Sequence, residues 1–259
     1  MKSNLPNSML QQEDFGKYFE AFYSVNMHVL IRFGRWEEIL QLPPPPGAPE
    51  VFQFSQCIFH YSRGVALSVV GQADSARQEL LQLLSSTGRV AADRVFHNNS
   101  CRSLLQIAAL MLRGEVDYRE GGGAFPSLLM QAVSLSDRLV YDEPWGWMQP
   151  PRHALGALLL LSGRAEDAIV HFRKDVDTNF FGRCHPNNIW AIKGIVMCLK
   201  QIRKGSCCEG GEEGEGEEER ELEAKLHGLL EVADKDINLF AACLCATPNN
   251  NSNVMGSSS

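Results

Sequence analysis

No apolar run in this chain is long enough to cross a membrane as a helix. The longest, Ala154 to Leu161, is interrupted by Gly156 and falls far short of the roughly 18–20 residues a span requires. Behind the single Lys2, the segment Met1–Glu20 has no apolar core of the kind a secretory signal carries, so a cytoplasmic location is expected. A basic excess or stripe is also missing, which argues against nucleic acid as a partner. So is the motif chemistry of the common enzyme classes. There is no Gly-x-Ser-x-Gly elbow and no phosphate loop, and Gly121-Gly122-Gly123 lacks the strand and the later glycine of a dinucleotide site. The seven histidines include no His-Glu-x-x-His and no pair at helical spacing. Lone couples such as Cys57 with His60, or His171 with Asp175, fall two ligands short of a closed zinc site. No catalytic residue, metal or cofactor is expected, and the chain is read as a non-enzyme.

What is present suits a helical protein. Of 259 residues, 44% are hydrophobic and 21% charged, enough for a sizeable core. The net charge of -7 is local: seven glutamates lie between Glu209 and Glu219, and setting them aside leaves 24 acidic against 24 basic residues. Eight cysteines invite a disulfide framework, but that requires secretion, so reduced thiols are expected. Apolar residues at 15, 18, 19, 22, 25, 29 and 30 have the three-and-four spacing of an amphipathic helix. After the Phe33-Gly34-Arg35 break a short helix passes through Trp36, Ile39 and Leu40, and Pro43 to Pro46 end it. Further helices are expected at about 51–70, 73–84, 100–117, 126–140, 151–161, 165–178, 187–202 and 218–240, with strand-like alternation nearly absent. The fold class is all-α. Residues 1–14 are read as a frayed or disordered N-terminus and 15–245 as the helical domain, with a Pro-rich linker at 43–49, an acidic disordered insertion at 206–219 and a disordered tail at 246–259.

Three glycine pairs share one interval: Gly64 and Gly71, Gly114 and Gly121, Gly156 and Gly163. The first of each lies inside a helix and the second ends it, the signature of a helical hairpin with a left-handed turn. Ala76 and Ala168 follow five residues later, with Leu80 and Phe172 one turn beyond. This resembles the tetratricopeptide repeat, a 34-residue helical hairpin, and implies about four irregular repeats stacked as a solenoid. The best copy is Leu155-Gly156, Leu159, Gly163, Ala168 and Phe172, and a partial one opens at Trp190 with Gly194. Pro126 stands where the second copy should have alanine, and the helix-ending proline of the third falls late, at Pro186. The stretch from Tyr141 to Gly194, with MHVLIRFGRWEEIL and FHYSRGVALSVVGQADSARQEL upstream, resembles the C-terminal region of a widespread, mainly bacterial family of tetratricopeptide-containing proteins. Members often carry more repeats ahead of this region, which makes this chain a short version or one that begins inside the array. The resemblance implies protein binding and no enzymatic activity. The Lys and Asn of the chaperone carboxylate clamp are absent: His153, Ala157, Leu160, Ala191 and Ile195 stand in their places.

The most unusual segment is Tyr141-Asp142-Glu143-Pro144-Trp145-Gly146-Trp147, just before a helix starting at Pro150-Pro151-Arg152-His153. Aromatic faces, carboxylates and Arg152 suit a peptide or a cationic ligand. The plainer reading packs Trp147 between repeats and pairs Asp142 or Glu143 with Arg152. Candidate contacts are Tyr141, Asp142, Glu143, Trp145, Trp147, Arg152 and His153. The leading expectation is a scaffold that binds a peptide or protein on its concave helical surface, without nucleic acid, membrane or chaperone carboxylates as partners. The alternative is a ligand-binding protein or enzyme with a pocket beside the 141–153 loop, marked by a carboxylate–histidine constellation that folding would close. A third possibility is a structural piece of a larger assembly, with an exposed apolar face near the N-terminus.

Overall fold

The protein is all-α. The computed structural model describes residues 13–46, 50–143, 145–179, 184–206 and 216–233. The expectations for residues 1–12 and 246–259, and for the thiols of Cys207, Cys208, Cys243 and Cys245, lie outside them. The helix expected through Phe15 to Ile31 is broken in two: α1 (Glu13–Phe19) runs through a 3-10 turn (Glu20–Ser24) into α2 (Val25–Arg32). The segment read as frayed through residue 14 therefore overlaps α1, whose Phe15 and Phe19 rings stack and whose Phe19 also packs on Phe22 of the following turn. A short α3 (Trp36–Gln41) precedes the prolines.

Four helix pairs follow. These are α4 (Gln53–Val69) with α5 (Ala73–Thr87), α6 (Cys101–Arg119) with α7 (Phe125–Ser136), α8 (Pro151–Leu161) with α9 (Ala165–Val176), and α10 (Ile189–Ser206) with α11 (Glu217–Val232). Each pair packs on the next; the main apolar core runs through the first three pairs into α10, and a small second cluster of Ile189, Ile192 and Leu226 lies between α10 and α11. Gly34, Gly71, Gly121 and Gly163 all take positive φ (62–82°), the left-handed geometry expected where a first helix turns back. The stretch read as a disordered acidic insertion at 206–219 is helical at its two ends, Ser206 in α10 and Glu217–Glu219 in α11, and residues 207–215 lie outside the described residues. Acidic residues in a helix's first turn complement its dipole, and Glu218 and Glu219 are further held by Arg173 and Arg203.

Close approach accounts for the interior glycines. A methyl group on Gly156 would meet the Phe172 ring at 2.8 Å, and one on Gly194 would meet the same ring at 2.6 Å. Phe172 thus fills the seam between α8 and α10. Between α5 and α6 lies an element the periodicity did not signal, a two-residue antiparallel ladder of Val95–Phe96 with Asn99–Ser100, turned at His97 with φ 52°.

Two features limit which surfaces are open. The N-terminal residues reach far along the chain: Gln149 meets His28, Arg32 meets His153, and Phe33 packs edge-on against Trp190. In addition, α8 is buried on every side from Pro151 to Leu160. Helix α8 therefore presents no open face to a concave groove, whereas α6 exposes Arg102, Ser103, Gln106 and Arg113.

Candidate functional site

The loop between α7 and α8 is pinned from the ladder turn. Asn99 donates from Nδ2 to the Val140 carbonyl (2.9 Å) and to Asp142 Oδ2 (3.0 Å), while its Oδ1 accepts the Val140 N–H (2.9 Å). The Asn98 N–H also donates to Asp142 Oδ2 (3.0 Å), and Asn98 Nδ2 to the Tyr141 carbonyl (3.0 Å). This overturns the expected pairing of Asp142 or Glu143 with Arg152. Arg152 pairs instead with Asp137 at the end of α7, and Glu143 accepts the Tyr141 hydroxyl. The loop follows the ladder because short Asn side chains satisfy the backbone of an irregular segment that has no helical partner.

The candidate residues divide into two groups. Trp147 and His153 are interior, at 3% and 1% exposure. Trp147 packs against Tyr61 and His28, and its indole N–H points at the Met111 sulfur (3.1 Å). Beside it, burial holds His28 down at about 4 although the Gln149 amide opposes this, so the ring is neutral at ordinary pH. Asp142 and Arg152 are nearly sealed, whereas Tyr141, Glu143 and Trp145 are exposed. These exposed residues flank a cleft of about 230 Å³ lined by Leu139, Val140, Tyr141, Asp142, Trp145, Arg152, Asp175 and His185 among others.

Folding also closes a carboxylate–histidine constellation, built on an acid other than the ones expected. Asp175 lies in the last turn of α9, 1% exposed, between two imidazoles. Arg32 Nη1 lies 3.3 Å from His153 Nδ1. A guanidinium can only donate, so His153 accepts there and carries its proton on Nε2, which donates to Asp175 Oδ2 (2.9 Å). Asp175 Oδ1 accepts from His185 Nδ1 (2.8 Å). Burial opposes the Asp175 charge, but the two imidazole donors outweigh it and hold the carboxyl well below the usual range. Burial keeps His153 low as well, against the pull of Asp175, so the charge-bearing partners are Asp175 and Arg32 with a neutral ring between them. His185 leans on Trp145, ring centroids 3.8 Å apart. Asn188 caps the start of α10, its Oδ1 accepting the Trp190 and Ala191 N–H groups.

Among the described residues no helix is long and apolar enough to cross a membrane, and no three His, Cys, Asp or Glu side chains converge as metal ligands. Sequence reasoning had paired Asp175 with His171 four residues earlier. The only signal for the observed pairing is the late Pro186, which lengthens the α9–α10 connection enough for His185 to fold back. Comparisons with family models, curated proteins and solved structures find no match for this chain.

Proposed function

We propose that this chain is a tetratricopeptide-like stack of helical hairpins that serves as a non-enzymatic scaffold, binding a peptide or protein segment at the cleft beside residues 141–152. The resemblance of the glycine pattern supports the repeat reading, as do the left-handed turn glycines and the Phe172 seam. The cleft carries the functional reading. It sets two exposed aromatic rings, Tyr141 and Trp145, on a rigid buried support, the combination of concave shape and anchored aromatics that recognition sites use. Partners of this class are proteins or peptides rather than nucleic acid, membrane or chaperone carboxylates.

The test is selection of a random displayed-peptide library on the immobilised chain, with a Tyr141→Ser, Trp145→Leu variant as the counter-target. Enriched peptides that bind the wild type and lose at least about tenfold on the variant support the reading. An empty selection, or peptides that bind both proteins equally, overturns it.

A second reading, a small-molecule or catalytic pocket, draws on the Asp175–His185 pair, in which a carboxylate orients an imidazole at the cleft. It expects small metabolites to raise the thermal midpoint of the wild type and not of His185→Gln. A metabolite screen without any such shift removes it.

A further inference from the structure

The polar atoms of the cleft are not all used by the fold. Asp142 is more than nine-tenths buried, and both bonds from Asn98 and Asn99 go to Oδ2. Among the described residues Oδ1 has no partner, and it is not one of the sealed, unsatisfied atoms of the interior. His185 Nδ1 donates to Asp175, and this Nδ1–H tautomer leaves Nε2 as an acceptor; it too has no partner among the described residues and is not sealed. The cleft therefore offers two acceptors, while its one arginine, Arg152, is engaged by Asp137. Its formal charge is negative as well, with Asp137, Asp142 and Asp175 facing one arginine. Trp145, tilted against His185 on one side, remains 41% exposed, and Tyr141 remains 61% exposed.

We propose that the cleft holds a basic side chain of the partner, above all an arginine guanidinium, stacked on Trp145 and donating to Asp142 Oδ1 and His185 Nε2. This rests on the reading of the cleft as a peptide-binding site and names the residue that the peptide supplies. A guanidinium fits on three independent grounds. It is a planar cation, it brings several donors in a fork, and it stacks on aromatic faces. An anion would meet three carboxylates and an arginine already neutralised. A neutral apolar side chain would leave the Asp142 oxygen sealed in without a partner.

The experiment titrates N-acetyl-arginine amide into the full chain and follows the indole N–H signals of Trp36, Trp145, Trp147 and Trp190 by NMR. N-acetyl-citrulline amide, which matches arginine in shape but carries no charge, is the control. The expected result is a saturable shift of the Trp145 signal, with citrulline at least about tenfold weaker. Trp145→Leu should abolish arginine binding while the Trp147 signal stays in place as evidence of the fold. Asp142→Asn should weaken it about tenfold, with its melting curve recorded in parallel because Asn98 and Asn99 lean on the same side chain. Equal binding of citrulline, tighter binding of N-acetyl-glutamate amide, or a Trp145 signal that does not move overturns the proposal. A library-selected peptide without arginine or lysine that nonetheless shifts Trp145 overturns the arginine assignment while leaving the scaffold reading intact. A selection that enriches nothing strikes the scaffold reading itself.

Discussion

Replacing Glu115 by glutamine should make the protein more stable, and by an amount that grows with pH. Glu115 sits in α6 with no exposed surface. Its Oε1 accepts from Arg119 Nε (2.9 Å), while Oε2 has no partner among the described residues. Burial raises its pKa from an ordinary 4.5 to about 7, although Arg119 works in the other direction. A carboxyl raised in the folded state binds its proton more tightly there than in the unfolded chain. Its contribution is therefore fully present below the unfolded value and is lost as pH climbs through the folded one. The interval corresponds to roughly 3 kcal/mol when the group is fully buried. Glutamine mimics the protonated acid, so wild type and Glu115→Gln should be nearly equal at about pH 4.5 and separate by about 2–3 kcal/mol near pH 8. Urea unfolding at a series of pH values reads this directly, and the difference between the two curves cancels every other titrating group. His28 supplies an internal check of opposite sign. Its pKa is lowered to about 4, so its contribution is present above about 6.5 and lost as pH falls toward about 4. The two slopes oppose each other over the shared window, and removing Glu115 should leave a profile that rises with pH there. A difference curve flat within about 0.5 kcal/mol from about pH 5 to about pH 8 would falsify the assignment of Glu115 as a buried acid.

Four further outcomes are expected. Gly194→Ala should destabilise by about 1–2 kcal/mol, because overpacking against the wedged Phe172 ring outweighs a helix-propensity gain of about 1 kcal/mol; an unchanged urea midpoint would count against the tight seam. Trp147→Ala should cost about 3–5 kcal/mol and broaden the His28 and Tyr61 signals, since it empties a site all three rings share. Trp145→Leu, by contrast, should shift stability by less than about 0.5 kcal/mol and act only on binding; a large loss would mark Trp145 as structural. Asn99→Ala should cost about 1–3 kcal/mol and speed hydrogen exchange at Val140, whose N–H and carbonyl both depend on that side chain.

Much of this architecture was legible from periodicity and glycine placement. The 151–161 helix was bounded to the residue, because Pro151 sets its start and Ser162-Gly163 its stop. Phe172 stood out as the large residue one turn beyond Ala168, but its wedge against Gly194 of the next hairpin was not legible in that spacing. The site was located but not understood. Tyr141 and Trp145 were found as unusual aromatics in a loop, yet the acid that meets His153 and His185 is Asp175, brought in from a different helix by a connection whose path local pattern does not encode. Nor does helical spacing reveal that Glu115 is sealed: it reads as one more polar residue of an amphipathic helix, and its burial comes from the tertiary packing around α6. Asn98 and Asn99 were missed for a similar reason, since two turn-forming residues carry no hint of the loop some forty positions onward that they hold.

The contacts from His28 to Gln149 and from Arg32 to His153 join residues 121 positions apart. In an open array of hairpins each unit answers only to its neighbours, so end units can fray or be trimmed singly. Here α2 is latched to the third pair, and Arg32 and Phe33 reach on to Trp190 of the fourth, so loss of the last pair should be felt at the N-terminal helices. Unfolding should be a single cooperative event by every probe. Folding should be slower than the high helix content suggests, because the latch must wait for a large chain loop to close before its contacts give anything back.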